Sequence, residues 1–201
     1  MASAQHIRLE PFQSLVMNSK FVFQTLQENV IQTLCMKDVS MMTPRRLHSI
    51  LSLPHLQSLT LTDIGPVDMD DGETLTRQTS SVEKISVDGK DVISLWNLGL
   101  HTSCPQVKIL ELNYQDEENV SSDIITMACS PFNHLTHIHV KGFVLFELST
   151  TLNDPVSFCD AVKTSCPQLT NLSLTRFKLK NEKAAKIIQL MKTHPPLTNI
   201  E

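Results

Sequence analysis

The sequence predicts an α/β solenoid of horseshoe form, with a parallel sheet on its concave side and helices on its convex side. Three observations lead there. One phrase is written twice, SCPQVKILEL at residues 103–112 and SCPQLTNLSL at 165–174. One apolar template recurs along the whole chain. Helix-start signals fall between its copies. A single strand and helix cannot bury their apolar faces alone, but stacked copies can.

The template reads apolar-x-x-apolar-x-apolar-x-x-apolar. Its copies start at residues 4, 31, 56, 82, 107, 135, 169 and 197, so the intervals run from 25 to 34 residues. Ala4, Ile7, Leu9 and Phe12 form the first. Ile31, Leu34, Met36 and Val39 form the second, and Leu56, Leu59, Leu61 and Ile64 the third. Val82, Ile85 and Val87 continue it with Lys90 last. Val107, Leu110 and Leu112 follow with Gln115 last. Leu135, Ile138, Val140 and Phe143 precede Leu169, Leu172, Leu174 and Phe177. Leu197 and Ile200 open an eighth copy. The two SCPQ phrases are thus one structural unit, two repeats apart. Each central pair alternates with period two, which is a strand with one face inward.

Helices are predicted between most strands. Thr43-Pro44 suits an N-cap and first turn, Leu47, Ile50 and Leu51 follow, and Pro54 ends the run. Asp91 precedes Val92, Ile93, Leu95 and Trp96. Ser122 or Asp123 precedes Ile124, Ile125 and Met127. Asp154-Pro155 precedes Phe158, Ala161 and Val162. Asn181 precedes Ala184, Ile187, Ile188 and Met191, and Pro195 closes that helix. The acidic turn VDMDDGET, 67–74, stands where the third repeat should carry its helix. Its Gly is misplaced for a calcium loop, so a solvated loop is expected there.

Composition narrows function. The chain has 201 residues and a net charge of −4, so it lacks the basic footprint of a nucleic-acid binder. No apolar run is long enough to span a membrane, and the start MASAQHIRLEPF lacks a signal stretch. Five Cys, an odd number without CxxC spacing, read as reduced, buried thiols of a cytoplasmic protein. Cys104 and Cys166 sit at the helix-to-strand corner, where a small hydrophobe fits.

This pattern resembles the leucine-rich repeat family, of the ribonuclease-inhibitor-like or cysteine-containing type, over nearly the whole chain. The ninth position departs from it. Family members usually carry Asn or Cys there, whereas Phe12, Val39, Ile64, Phe143 and Phe177 occupy it here. The asparagine ladder between turns is therefore expected to be replaced by apolar packing. The phrases SLPHLQSLTLTD and SCPQLTNLSL are similar to the C-terminal repeat arm of NOD-like immune receptors. That resemblance implies one leucine-rich repeat domain over 1–201, a fragment of a larger protein.

Catalytic strings such as GxSxG, GxGxxG and phosphate loops are absent from the sequence. In NHLTHIHV, 133–140, His137 and His139 flank Ile138 and point outward, with Glu111 as the one neighbour able to help hold a metal. Contact histidines are the preferred reading, with no metal and no cofactor. The candidate partner-binding positions are Arg8, Thr33, Ser58, Thr60, Lys84, Ser86, Glu111, His137, His139, Asn171 and Ser173, with Tyr114 and Arg176 just past the strands. Tyr and Arg commonly anchor interfaces. The expected function is non-enzymatic recognition of a protein partner, or of other domains of the same receptor. A substrate adaptor of an F-box-type ubiquitin ligase is the alternative, because its cysteine-containing repeats read much like SCPQL.

Overall fold

Runs such as SLTLT and NLSLT set apolar residues at every second position, so each can bury one face and leave the other open. A computed structural model of the chain describes residues 6–9, 30–39, 42–67, 79–114, 119–142, 144–145, 148–149, 151–152, 154–177, 181–194 and 196–200. Strands β1 (His6–Leu9) and β2 (Thr33–Lys37) are followed by helix α1 (Pro44–Leu51), β3 (Ser58–Thr62) and β4 (Lys84–Asp88). A 3-10 turn at Gly89–Asp91 leads into α2 (Val92–Asn97) and α3 (Leu100–Ser103). Next come β5 (Ile109–Asn113), β6 (Asn119–Val120), α4 (Ser122–Cys129) and β7 (His137–Lys141). Short strands β8 (Val144–Leu145), β9 (Leu148–Ser149) and β10 (Thr151–Leu152) precede α5 (Pro155–Ser165). Then follow β11 (Asn171–Thr175), α6 (Asn181–Met191) and β12 (Asn199–Ile200).

The fold is α/β. Eight strands form one all-parallel sheet in the order β1–β2–β3–β4–β5–β7–β11–β12, which is their order along the chain. Their register is that of the sequence template. Leu34 pairs with Leu59, Leu59 with Ile85, Ile85 with Leu110, Leu110 with Ile138, and Ile138 with Leu172. This row and the row two residues on, Met36, Leu61, Val87, Leu112 and Val140, are buried in the core. Each such side chain contributes about 1.5–3 kcal/mol by leaving water. The helices pack on one another in chain order, α2 on α4, α4 on α5 and α5 on α6.

The expected caps form at two helices. The Thr43 hydroxyl accepts from Arg46 N at 3.2 Å. Asp154 Oδ1 accepts from Val156 N and Ser157 N, both at 3.1 Å. At α4 the cap is Ser121, one residue earlier than expected, and it accepts from Asp123 N. Asp91 departs from expectation. It caps nothing, because a 3-10 turn intervenes before α2. Its Oδ2 instead accepts from Ile64 N at 3.2 Å, and Asp88 Oδ2 accepts from Asp63 N at 2.7 Å. Turns closed by apolar packing alone are thus corrected. Val39 and Ile64 are buried as expected, but between β3 and β4 two carboxylates tie the turns together. Burial is the main reason that the Asp91 carboxyl titrates above its ordinary range, with the Ile64 N–H pulling it back down.

The longest interval between template copies, 135 to 169, has a structural reason. It houses β8 paired antiparallel with β9, and β10 paired parallel with β6. The expectations placed on Ala4, Phe12, Phe143, Pro195 and the acidic turn beyond Val67 lie outside the described residues.

A candidate partner-binding face

With one strand face buried, the outward positions of all eight strands form a continuous row across the sheet. Arg8 and His137 are exposed, whereas Thr33, Ser58, Thr60, Lys84, Glu111, His139, Asn171 and Ser173 are half-buried beside their neighbours. His137 lies level with Ile109 and Asn171, and His139 with Ser173 and with Glu111, the neighbour named from the sequence. Cys35 lies level with Thr60 and is half-buried.

Two predicted contacts are corrected. Tyr114 is 1% exposed and belongs to the core. It follows β5 directly, and its ring lies against Gly89 so closely that a Cβ there would overlap it. Glycine leaves the room that turns the ring inward. Ser86 is 4% exposed, because Asn113 Nδ2 donates to its hydroxyl at 3.2 Å from the adjacent strand. Neither side chain can meet a partner. Arg176 is exposed as expected.

The structure adds a feature at the start of the strands. Thr136, Thr170 and Thr198 occupy the second template position of three successive copies. Each hydroxyl donates to a carbonyl of the copy before: Thr136 to Lys108 O at 3.1 Å, Thr170 to Thr136 O at 3.1 Å, Thr198 to Thr170 O at 3.2 Å. The backbone N–H groups of the same residues donate to the same carbonyls. A threonine ladder thus ties β7, β11 and β12 at one edge. The recurring Leu-Thr pair in HLTHIHV, QLTNLSL and PLTNI was its signal in the sequence.

This ladder sets the histidine tautomer. The Thr136 hydroxyl gives its hydrogen to Lys108 O, so it accepts from His137 Nδ1–H at 2.9 Å. His137 Nε2 is then the acceptor for Asn171 Nδ2 at 2.6 Å. Asn171 Nδ2 also donates to the Thr170 hydroxyl at 3.0 Å. His139 Nε2 meets Thr175 Oγ1 at 3.1 Å, and Lys84 Nζ bridges to Glu111 at 2.7 Å. These side chains surround a depression of about 390 Å³ whose apolar floor includes Ile109, Ile138 and Leu172. Lys141, at the end of β7, joins the same face and was not singled out by the sequence reading.

Among the described residues no group of three or more His, Cys, Asp or Glu is arranged to hold a metal ion. Burial pushes the Cys104 thiol up to about 12 and Cys159 to about 11, so both are protonated at neutral pH and poor nucleophiles. The Cys129 thiol is held well above its ordinary value by its hydrogen bond to Cys166 and by burial. No described helix is long and apolar enough to cross a membrane. A scan against models of protein families finds no match for this chain. A search of curated proteins finds none either.

Proposed function

We propose that this chain is a leucine-rich repeat solenoid of horseshoe form that acts as a non-enzymatic protein-recognition module in the cytoplasm. The observation that carries this reading is the all-parallel, chain-ordered sheet, whose shared register sets one polar row on its open face. Stacked repeats of this kind present extended binding surfaces. The resemblance of its phrases to NOD-like receptors extends the reading. The chain is then the ligand-sensing or autoinhibitory arm of such a receptor, holding either a foreign surface or the receptor's own nucleotide-binding module. Buried Cys104 and Cys166, at equivalent corners, also suit the cysteine-containing repeats of an F-box-type adaptor. The two parents differ in the domain joined to the repeats, not in the use of the open face.

The test is capture of partners from lysate by the wild type and by a His137→Ala, His139→Ala, Asn171→Ala variant with an unchanged circular dichroism spectrum. A specific protein held by the wild type and lost from the variant is the expected result. A partner retained at full strength moves recognition off the sheet face.

A further inference from the structure

Charge is unevenly placed on the open face. Around β3 and β4 it carries buried or paired carboxylates, with Asp63 bridged by Lys37 at 3.7 Å and Lys90 at 3.2 Å. Around β7, β11 and β12 the pattern reverses. Residues 136–142, 170–177 and 198–200 contain no Asp or Glu. They contain Lys141 and Arg176, and neither has a carboxylate partner among the described residues. Lys84 faces the same depression, where the one carboxylate, Glu111, is already bridged to it. A chain of net charge −4 thus keeps one cationic half-face.

Arg176 supplies a second, independent observation. Its φ is +62°, a left-handed backbone that disfavours any residue with a large side chain. The equivalent turns at residues 38 and 63 have φ of +55° and +50°, and there the residue is Asp, which tolerates that region. At 176 the chain keeps an exposed Arg at a conformational cost, with no ion pair to a described carboxylate. Strain retained at an exposed charge marks a side chain selected for what it meets.

We propose that this half of the open face docks an extended acidic segment of a protein partner, its carboxylates meeting Lys84 in the depression and Lys141 and Arg176 at the far ends of β7 and β11. The proposal rests on the recognition reading above. No outward position of β7, β11 or β12 is Phe, Tyr or Trp, so the face lacks the large-ring stacking platform on which single-stranded nucleic acids are held, and the RNA arm of the test below covers stacking on His137 and His139. Strands are about 4.8 Å apart, so β4 to β12 is spanned by about six extended residues.

The probe is a fluorescein-labelled peptide of alternating Glu and Gly, about eight residues long, followed by anisotropy against the full chain. Binding at low ionic strength that weakens as salt rises, with none for the matching Lys–Gly peptide, is expected. Lys141→Glu with Arg176→Glu should weaken it at least about tenfold. Arg176→Gly separates fold from function: it should raise the melting temperature by relieving the left-handed strain, yet weaken the peptide. Three results overturn the proposal: no binding by the Glu–Gly peptide, affinity unchanged by the double reversal, or tighter binding of a short single-stranded RNA. A lysate partner still held by the double-reversal variant defeats the acidic assignment alone and leaves the recognition reading standing.

Discussion

At the scale of single residues, two side chains hold places that their type alone does not announce. Tyr114 fills the core because residue 89 has no Cβ. Gly89→Ala should therefore cost about 3 kcal/mol or more, since the added Cβ would overlap the buried ring. Urea denaturation measures this; a loss under about 1 kcal/mol would mean that the ring relocates easily. Asp91 is the second. Its folded-state pKa lies above the ordinary 3.8, burial being the largest cause. A raised carboxyl pKa means that the folded state holds its proton more tightly than the unfolded chain. The stabilising contribution is then complete below pH 3.8 and declines as pH rises through the folded value. Asp91→Asn keeps an acceptor for Ile64 N and removes the buried charge. It should match or exceed the parent's stability at neutral pH, with the advantage gone below pH 3.8. Asp91→Ala leaves Ile64 N unmatched and should fall about 1–2 kcal/mol below Asp91→Asn. Melting curves of the three proteins across pH decide it; equal stability of the Ala and Asn forms would sink the tether.

At the scale of elements, register was legible and the ties between repeats were not. Leu34, Leu59, Leu110 and Leu172 could be aligned on paper because a period-two strand with one buried face tolerates no slip. The helix starts at Pro44 and Pro155 were legible because a capping side chain followed by Pro satisfies orphan N–H groups locally. The position of Tyr114 was not legible, because it depends on Gly89, 25 residues earlier in the chain. Asp91 reads as a cap in sequence, yet the N–H of Ile64 in the preceding repeat claims it first. The threonine ladder was visible as a repeated Leu-Thr pair, but a hydroxyl's partner is set only when parallel strands align. Thr170→Val tests that ladder with almost no change of shape. It removes the bond to Thr136 O and the one from Asn171 Nδ2, and should cost about 1–2 kcal/mol. It should also alter the His137 imidazole resonances in NMR, because Asn171 positions that ring. An unchanged His137 signal would show the ladder and the histidine to be independent.

At the scale of the whole molecule, sheet order decides how far a disturbance travels. Every strand of the main sheet bonds only to its chain-order neighbours, so coupling between repeats should be nearest-neighbour in character. Ile138 pairs in register with Leu172, whereas Ile85 is separated from Leu172 by β5 and β7. Ile138→Val combined with Leu172→Ala should deviate from the sum of the single effects by about 0.5 kcal/mol or more, because both substitutions open the same stretch of core. Ile85→Val combined with Leu172→Ala should add to within about 0.3–0.5 kcal/mol. Urea titration of the five variants gives both coupling energies directly. Equal coupling in the two pairs would mean that the core relaxes as one body, and an adjacent pair that adds perfectly would mean that each repeat repacks alone. The predicted contrast also bears on recognition. Nearest-neighbour coupling separates Lys141 and Arg176 from the carboxylate-tied turns after β3 and β4, so a stabilising change at Asp91 should leave acidic-peptide affinity at the far half unchanged.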